Sequence, residues 1–437
     1  MAEIRPFRGV RYNQGLAKDL ADIICPPYDV ITPQMQQEMY HRSPYNFVRI
    51  EAGRELPQDT NTDNKYTRSA ATLGQWLEEG VLAADPAPAI YIHDHYFSYE
   101  GKEFRRRAVI SGVRLEEWDK KVVRPHEGIL AEHKGDRFSL LWALKANASP
   151  ILALFEDRGQ QVASLLAKAG ESRPLVNFSE ANGERHELRA ITRPETIDKL
   201  ASYLADSPLY IADGHHRYES ALALQRERRA SPESTGDEAY NFVMMALVDF
   251  DDPGVLILPP HRLVGGIPRA ALSQLSTKLK SLFDIEELPL DAPDVWAKVD
   301  RLLAAGGKDE VRFALFGLAE DHLLILKLRD FAAASRMMPY FHSELYKKLD
   351  VSVLDHVILE ELLGLGSGGE GAVLDFSYEG RDAVNRVLEQ EYQLAFLLRP
   401  IKPEVIRAVA DADDRMPRKS TYFYPKAPAG LVLYRLV

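Results

Sequence analysis

Two imidazoles and a guanidinium follow an acid and a glycine in Asp213-Gly214-His215-His216-Arg217. An apolar run of strand length, Leu209-Tyr210-Ile211, precedes them, and a helical pattern of Tyr218, Ala221, Leu222 and Leu224 follows. A glycine-bearing turn at a helix start presents free backbone N–H groups to an anion. Gly214 lets the backbone come close, and His215, His216 and Arg217 add donors suited to phosphate. Asp213 is of the type that holds Mg²⁺ together with phosphate oxygens. The plainer alternative makes Asp213 a helix cap and one of the histidines a packed structural group. Capping alone does not call for two histidines and an arginine in succession.

A second polar cluster is Arg124-Pro-His-Glu127, followed by His133, Lys134, Asp136 and Arg137. Among cationic neighbours the Glu127 carboxylate stays ionised and can accept a hydroxyl proton, with His126 orienting it or touching a phosphate. The segment reads as a lid-like loop in which Arg124, Lys134 and Arg137 contact a nucleotide. The alternative is a surface loop stiffened by Pro125. Asp29, after the double proline at Pro26-Pro27, is a candidate acid, or else the turn residue before a helix. His93 and His95 share one face of a predicted strand, a pair able to bind metal but without a third ligand at clear spacing. Lys419 and Lys426 are candidate substrate contacts. Met416-Pro-Arg in place of the required glycines excludes a Walker site at Lys419-Ser-Thr421. Neither a Gly-x-Ser-x-Gly elbow nor a dinucleotide fingerprint occurs.

The elements that must hold these groups alternate between helix and strand. Thr32-Pro33 starts a helix, with the threonine as cap and the proline at the first helical position. Residues 66–82 form an amphipathic helix ending near Gly80. Residues 89–99 and 104–118 form a hairpin about Glu100-Gly101, and 175–192 suggest another. Buried strands are expected at 150–155, 209–211 and 242–250, and helices at 138–146, 194–206, 341–349 and 352–364. The stretch 364–371 is rich in Gly and Ser and reads as a loop. The mixture predicts an α/β or α+β architecture with mixed sheets. A domain boundary near 265 divides it into 1–264 and 265–437.

The length of 437 residues suits two or three domains. A composition of 46% hydrophobic and 27% charged residues is ordinary for globular proteins. A net charge of −11 argues against a general nucleic-acid binder. The single cysteine, Cys25, excludes an intrachain disulfide and suits a reducing cytoplasm. No segment has the apolar length of a membrane span, and the N-terminus lacks a signal-peptide core. The expectation is a cytoplasmic protein.

Pro26-Pro-Tyr-Asp-Val-Ile31, Arg124-Pro-His-Glu127, Asp213-Gly-His-His-Arg-Tyr218 and Lys419-Ser-Thr-Tyr-Phe-Tyr-Pro-Lys426 occur in that order. With them the chain resembles the bacterial and archaeal family known as domain of unknown function 1015, over essentially its full length. The Gly-His-His-Arg turn is also similar to the nucleotide-binding turn of the ParB/sulfiredoxin superfamily. That superfamily includes sulfiredoxins, CTP-binding partition proteins and free-serine kinases. The resemblance implies a ParB/sulfiredoxin-like core with large insertions and a C-terminal α/β domain closing the cleft. It implies ATP or ADP with Mg²⁺ as cofactors, and a hydroxyl metabolite such as free serine as acceptor. A nucleotide-gated, DNA-associated switch and a phosphate-ester hydrolase are the alternatives. A sulfiredoxin-type reaction would need a cysteine in the turn, which has none.

Overall fold

A computed structural model describes residues 1–128, 131–229, 235–305, 307, 310–365 and 373–437, leaving aside the side chains of 131–134. Most of the Gly/Ser-rich stretch at 364–371 and the start of the 230–238 loop therefore lie outside the described residues. The architecture is mixed α/β, as expected. It comprises two compact units: residues 1–125, 129–256 and 425–437 form the first, and 126–128 with 257–424 the second. The expected boundary near 265 thus moves to 256, and the last thirteen residues return to the first unit.

The first unit is built on a nine-stranded sheet. Its strands are β1 (Ile4–Arg5), β2 (Ile90–Tyr99), β3 (Lys102–Arg114), β4 (Val123–Arg124), β5 (Ile151–Phe155), β6 (Val176–Ser179), β7 (Arg185–Ile191), β8 (Leu209–Asp213) and β9 (Phe242–Asp249). Their order is β4-β8-β5-β9-β3-β2-β7-β6, with β1 added against β3. The β4–β8 and β5–β9 pairs are parallel and the others antiparallel. The apolar runs Ile151–Phe155 and Phe242–Val248 are buried throughout, the pattern of strands covered on both faces. The β2–β3 hairpin turns at Glu100-Gly101, both at positive φ (48° and 73°), the geometry of a type I′ turn.

Five helices of this unit matter for the site: α1 (Pro33–Arg42), α2 (Val48–Glu51), α3 (Lys65–Glu78), α4 (Ala131–Leu144) and α5 (His215–Arg229). Thr32 caps α1 by accepting from the Met35 N–H, with Pro33 in the first turn, as the sequence predicts. α3 packs on α4, and α4 packs on α5.

The second unit carries a six-stranded sheet of β10 (His261–Gly265), β11 (Phe283–Pro289), β12 (Arg312–Phe316), β13 (His322–Leu328), β14 (Val373–Ser377) and β15 (Leu394–Leu397), in the order β11-β13-β12-β15-β10-β14. Leu263, Phe316, Ile325 and Ala395 from the strands meet Val295, Val299 and Val384 from helices in its core. Among the described residues, no helix is long and apolar enough to cross a membrane.

Candidate functional site

The expected strand, turn and helix form at Asp213. β8 ends at Asp213, Gly214 takes φ +95°, and α5 starts at His215. A Cβ at Gly214 would lie 2.8 Å from Arg217 Nε. Gly214→Ala is therefore expected to lower stability by more than the roughly 1–2 kcal/mol of a left-handed residue, because Arg217 must also shift. The urea midpoint measures this; an unchanged midpoint would contradict it.

Arg217 is tied inward. Its Nη2 donates to Asp213 Oδ2 at 2.6 Å, and its Nη1 donates to Ser149 Oγ at 3.1 Å and to the Pro150 carbonyl at 2.5 Å. The other Asp213 oxygen accepts from Lys426 Nζ, which also stands 3.7 Å from Asp29 Oδ2. Burial raises the Asp213 carboxyl, but Lys426 and Arg217 outweigh it and hold the group well below the usual carboxylate range. Both oxygens are thus engaged by cations. Mg²⁺ ligation by Asp213, expected from the sequence, would require Lys426 to withdraw; these surroundings do not fit a protein-held Mg²⁺.

Ser149 connects this ion cluster to a cavity. Its hydroxyl also donates to Glu51 Oε1 at 3.2 Å. Glu51 ends α2 and is fully buried, 3.7 Å from Arg137 Nη1. Arg137 in turn binds Asp136 at 2.5 and 2.8 Å and stacks on Tyr28 at 3.8 Å. Asp136 accepts from Lys65 and Tyr66, both at 2.8 Å. Glu51, Arg137, Asp136, Lys65 and Tyr28 all line a cavity of about 380 Å³. Thr32, Pro33 and Gln36 from the start of α1 and Lys65, Tyr66 and Ser69 from the start of α3 complete much of the wall. The first turns of α1 and α3 thus form part of the wall. Burial pushes the Glu51 carboxyl up, and Arg137 and Arg217 oppose that rise. Asp136 goes the other way: burial would raise it, but Arg137 and Lys65 bring it down to about 2.

Residues 4–352 match the family described as protein of unknown function DUF1015. The chain belongs to the DUF1015 family. No curated protein matches the sequence. Among solved structures, a free serine kinase in complex with AMP aligns over 74% of this chain and 92% of its own at 15% identity, TM-score 0.36. A conserved hypothetical protein from Pyrococcus furiosus aligns over 74% and 95% at 14% identity, TM-score 0.36. SbnI from Staphylococcus aureus, truncated at its C-terminus, aligns over 74% and 87% at 11% identity, TM-score 0.36. At these scores the likeness assigns neither ligand nor reaction.

Within this DUF1015 chain the expected residues divide. Asp29, Asp213 and Arg217 meet around Lys426, and Arg137 joins them through Glu51 and Ser149. His215 is buried and His216 is half-buried. Arg124, on β4, donates to the Lys121 carbonyl at 2.9 Å and to the Tyr210 hydroxyl at 3.3 Å. His126 and Glu127 belong to the second unit. There Glu127 Oε1 accepts from the Ser420 and Thr421 N–H groups at 3.1 and 2.9 Å and from the Thr421 hydroxyl at 2.8 Å. The buried His126 lies 2.9 Å from the same hydroxyl. The Lys134 side chain lies outside the described residues. Sequence reasoning passed over Glu51 and Lys65, and weighed Ser149 only as a hydrolase nucleophile, for which it lacks partners at the right spacing. For Glu51 a signal exists: one acid ending the run Phe47-Val48-Arg49-Ile50, three of whose members are fully buried.

Proposed function

We propose that this chain binds a nucleotide and transfers a phosphoryl group to the hydroxyl of a small metabolite such as free serine. The observation that carries this reading is the cavity with its buried connection to the turn. A carboxylate with a raised pKa, two cations and two helix N-termini line a space within the range of small-ligand sites. The phosphates lie at the N-terminus of α5, where the helix dipole favours an anion. Gly214 gives access, and Asp213, Arg217 and Lys426 fix the shape of the turn. The acceptor lies in the cavity. Its mixed charges suit a zwitterion: Lys65 and Arg137 face a carboxylate, and Glu55 and Asp136 face an ammonium group.

The proton acceptor in this reading is Glu51. Glu127, expected in that role, already has Oε1 committed to three donors. A buried carboxylate of raised pKa beside a cavity is matched to taking a hydroxyl proton near neutral pH. Any Mg²⁺ arrives with the nucleotide, and no step depends on a protein-held metal. Serine as acceptor is supported by the family resemblance rather than by the cavity's dimensions.

The test is a thermal-shift panel of ATP, ADP, AMP and L-serine with Mg²⁺, followed by incubation and assay for phosphoserine. A ligand bound to the native state at a hundred times its Kd adds about 2.7 kcal/mol, which reads as a clear rise in Tm. Nucleotide-dependent phosphoserine is the expected product. Binding without turnover on any hydroxyl metabolite would replace the kinase reading with a nucleotide-gated regulator.

A further inference from the structure

The antiparallel neighbours β2 and β7 bring three imidazoles to one face of the first unit's sheet, far along the sheet order from β8. His95 and His186 are direct cross-strand partners, with ring centroids 4.2 Å apart. His93 stands two residues along β2, its ring 5.3 Å from that of His186. The turn between β6 and β7 adds two carboxylates. Glu184 Oε2 is 2.6 Å from His95 Nε2, and Glu180 Oε1 is 2.9 Å from His186 Nε2. Donor atoms of His95, Glu184 and His186 all lie within 4.8 Å of one another. We propose that His95, His186 and Glu184 bind a divalent transition ion of the zinc class, with Glu180 or a water in the fourth position.

Two imidazole nitrogens and a carboxylate are a recurrent zinc donor set with one place left open. Zinc bonds of about 2.0–2.2 Å put tetrahedral donors roughly 3.3 Å apart, so the set closes with side-chain movements of about an ångström. The second nitrogen of His186 is already provided for: Nδ1 faces His93 Nε2 at 3.0 Å. With the metal on Nε2, that Nδ1–H donates to His93, the outer hydrogen bond that fixes a ligating tautomer. On His95 the metal moves the ring proton to Nδ1 and ends the 3.4 Å approach of Arg106 Nη2, which keeps its 2.7 Å bond to the Pro425 carbonyl.

His95 and His186 are almost inaccessible, whereas the Glu184 and Glu180 side chains are 16% and 30% exposed. The site thus has an entry path on the side of the turn. It lies outside the groups assigned to phosphoryl transfer, and its test is independent of that reading.

The full-length chain, stripped with chelator and reloaded with Co²⁺ or Zn²⁺, should bind one equivalent of metal. Co²⁺ should show the intense visible bands of a tetrahedral site, and Zn²⁺ should raise Tm. His95→Ala with His186→Ala should abolish both. Glu184→Gln, at a partly exposed position, should weaken Co²⁺ at least tenfold. His93→Leu should weaken it about 10–100-fold by freeing the ligand ring. Less than a tenth of an equivalent on the folded wild-type chain would overturn the proposal. So would stoichiometric binding retained by a folded double variant. Should the double variant not fold, an unchanged Kd in Glu184→Gln overturns it and a tenfold rise supports it.

Discussion

Asp213→Asn is expected to destabilise the first unit by roughly 3 kcal/mol, near the lower end of what losing one member of a buried ion pair costs. The Asp213 side chain is 18% exposed, which places it at that lower end rather than the upper. The substitution leaves Arg217 and Lys426 facing each other without an anion between them. Lys426→Met should cost less, because Asp213 keeps Arg217. Together the two substitutions should cost less than the sum of the singles, since the double variant removes the uncompensated ammonium as well. Urea midpoints of the four chains form the cycle, and strict additivity would contradict the direct pairing. The pH dependence has a definite sign. The folded-state pKa of Asp213 is depressed, so its contribution is fully present above the ordinary aspartate pKa. It is lost only as pH falls through the folded value, below the usual carboxylate range. Wild-type and Asp213→Asn chains should therefore differ most from mildly acid pH upward and converge in strong acid.

How much of this was readable without coordinates follows from how far apart the interacting groups lie. The cap at Thr32, the type I′ turn at Glu100-Gly101 and the strand–turn–helix at Gly214 are local. Each depends on a handful of adjacent residues, and each appears where the sequence places it. The partners of those groups are not local. Lys426 reaches Asp213 across 213 positions, because the C-terminal segment returns to the first unit. Glu127 meets Ser420 and Thr421 from nearly 300 residues away. No periodicity encodes such closures, so a loop dense in phosphate-compatible groups read as a nucleotide contact. The predicted helix at 352–364 folds in large part as a π-helix, Val353–Leu362. A change from i→i−4 to i→i−5 bonding leaves little trace in composition. His93 and His95 were legible as a same-face pair, but the imidazole of His186 beside them depended on the β2–β7 register.

Glu51→Gln should slow phosphoryl transfer by about 10²–10⁴-fold, the contribution of a positioned general base, while nucleotide binding stays close to wild type. Gln preserves shape, can still accept from Ser149, and removes only the charge and the basicity. Burial raises the Glu51 pKa, so the wild-type rate should climb with pH as this carboxyl loses its proton in the complex. That acid limb should vanish in Glu51→Gln. Glu127→Gln separates the two candidate bases. It disturbs a carboxylate that holds the 420–421 backbone, and should lower stability while leaving the slope of the acid limb unchanged. If Glu127→Gln removes the limb and Glu51→Gln keeps it, the base is Glu127 and the cavity loses its catalytic role. The comparison is informative because the two carboxylates are held so differently. Glu127 accepts three hydrogen bonds from Ser420 and Thr421. Glu51 faces a cavity from a buried position that disfavours its charge, and only such a group gains from taking up a proton during the reaction.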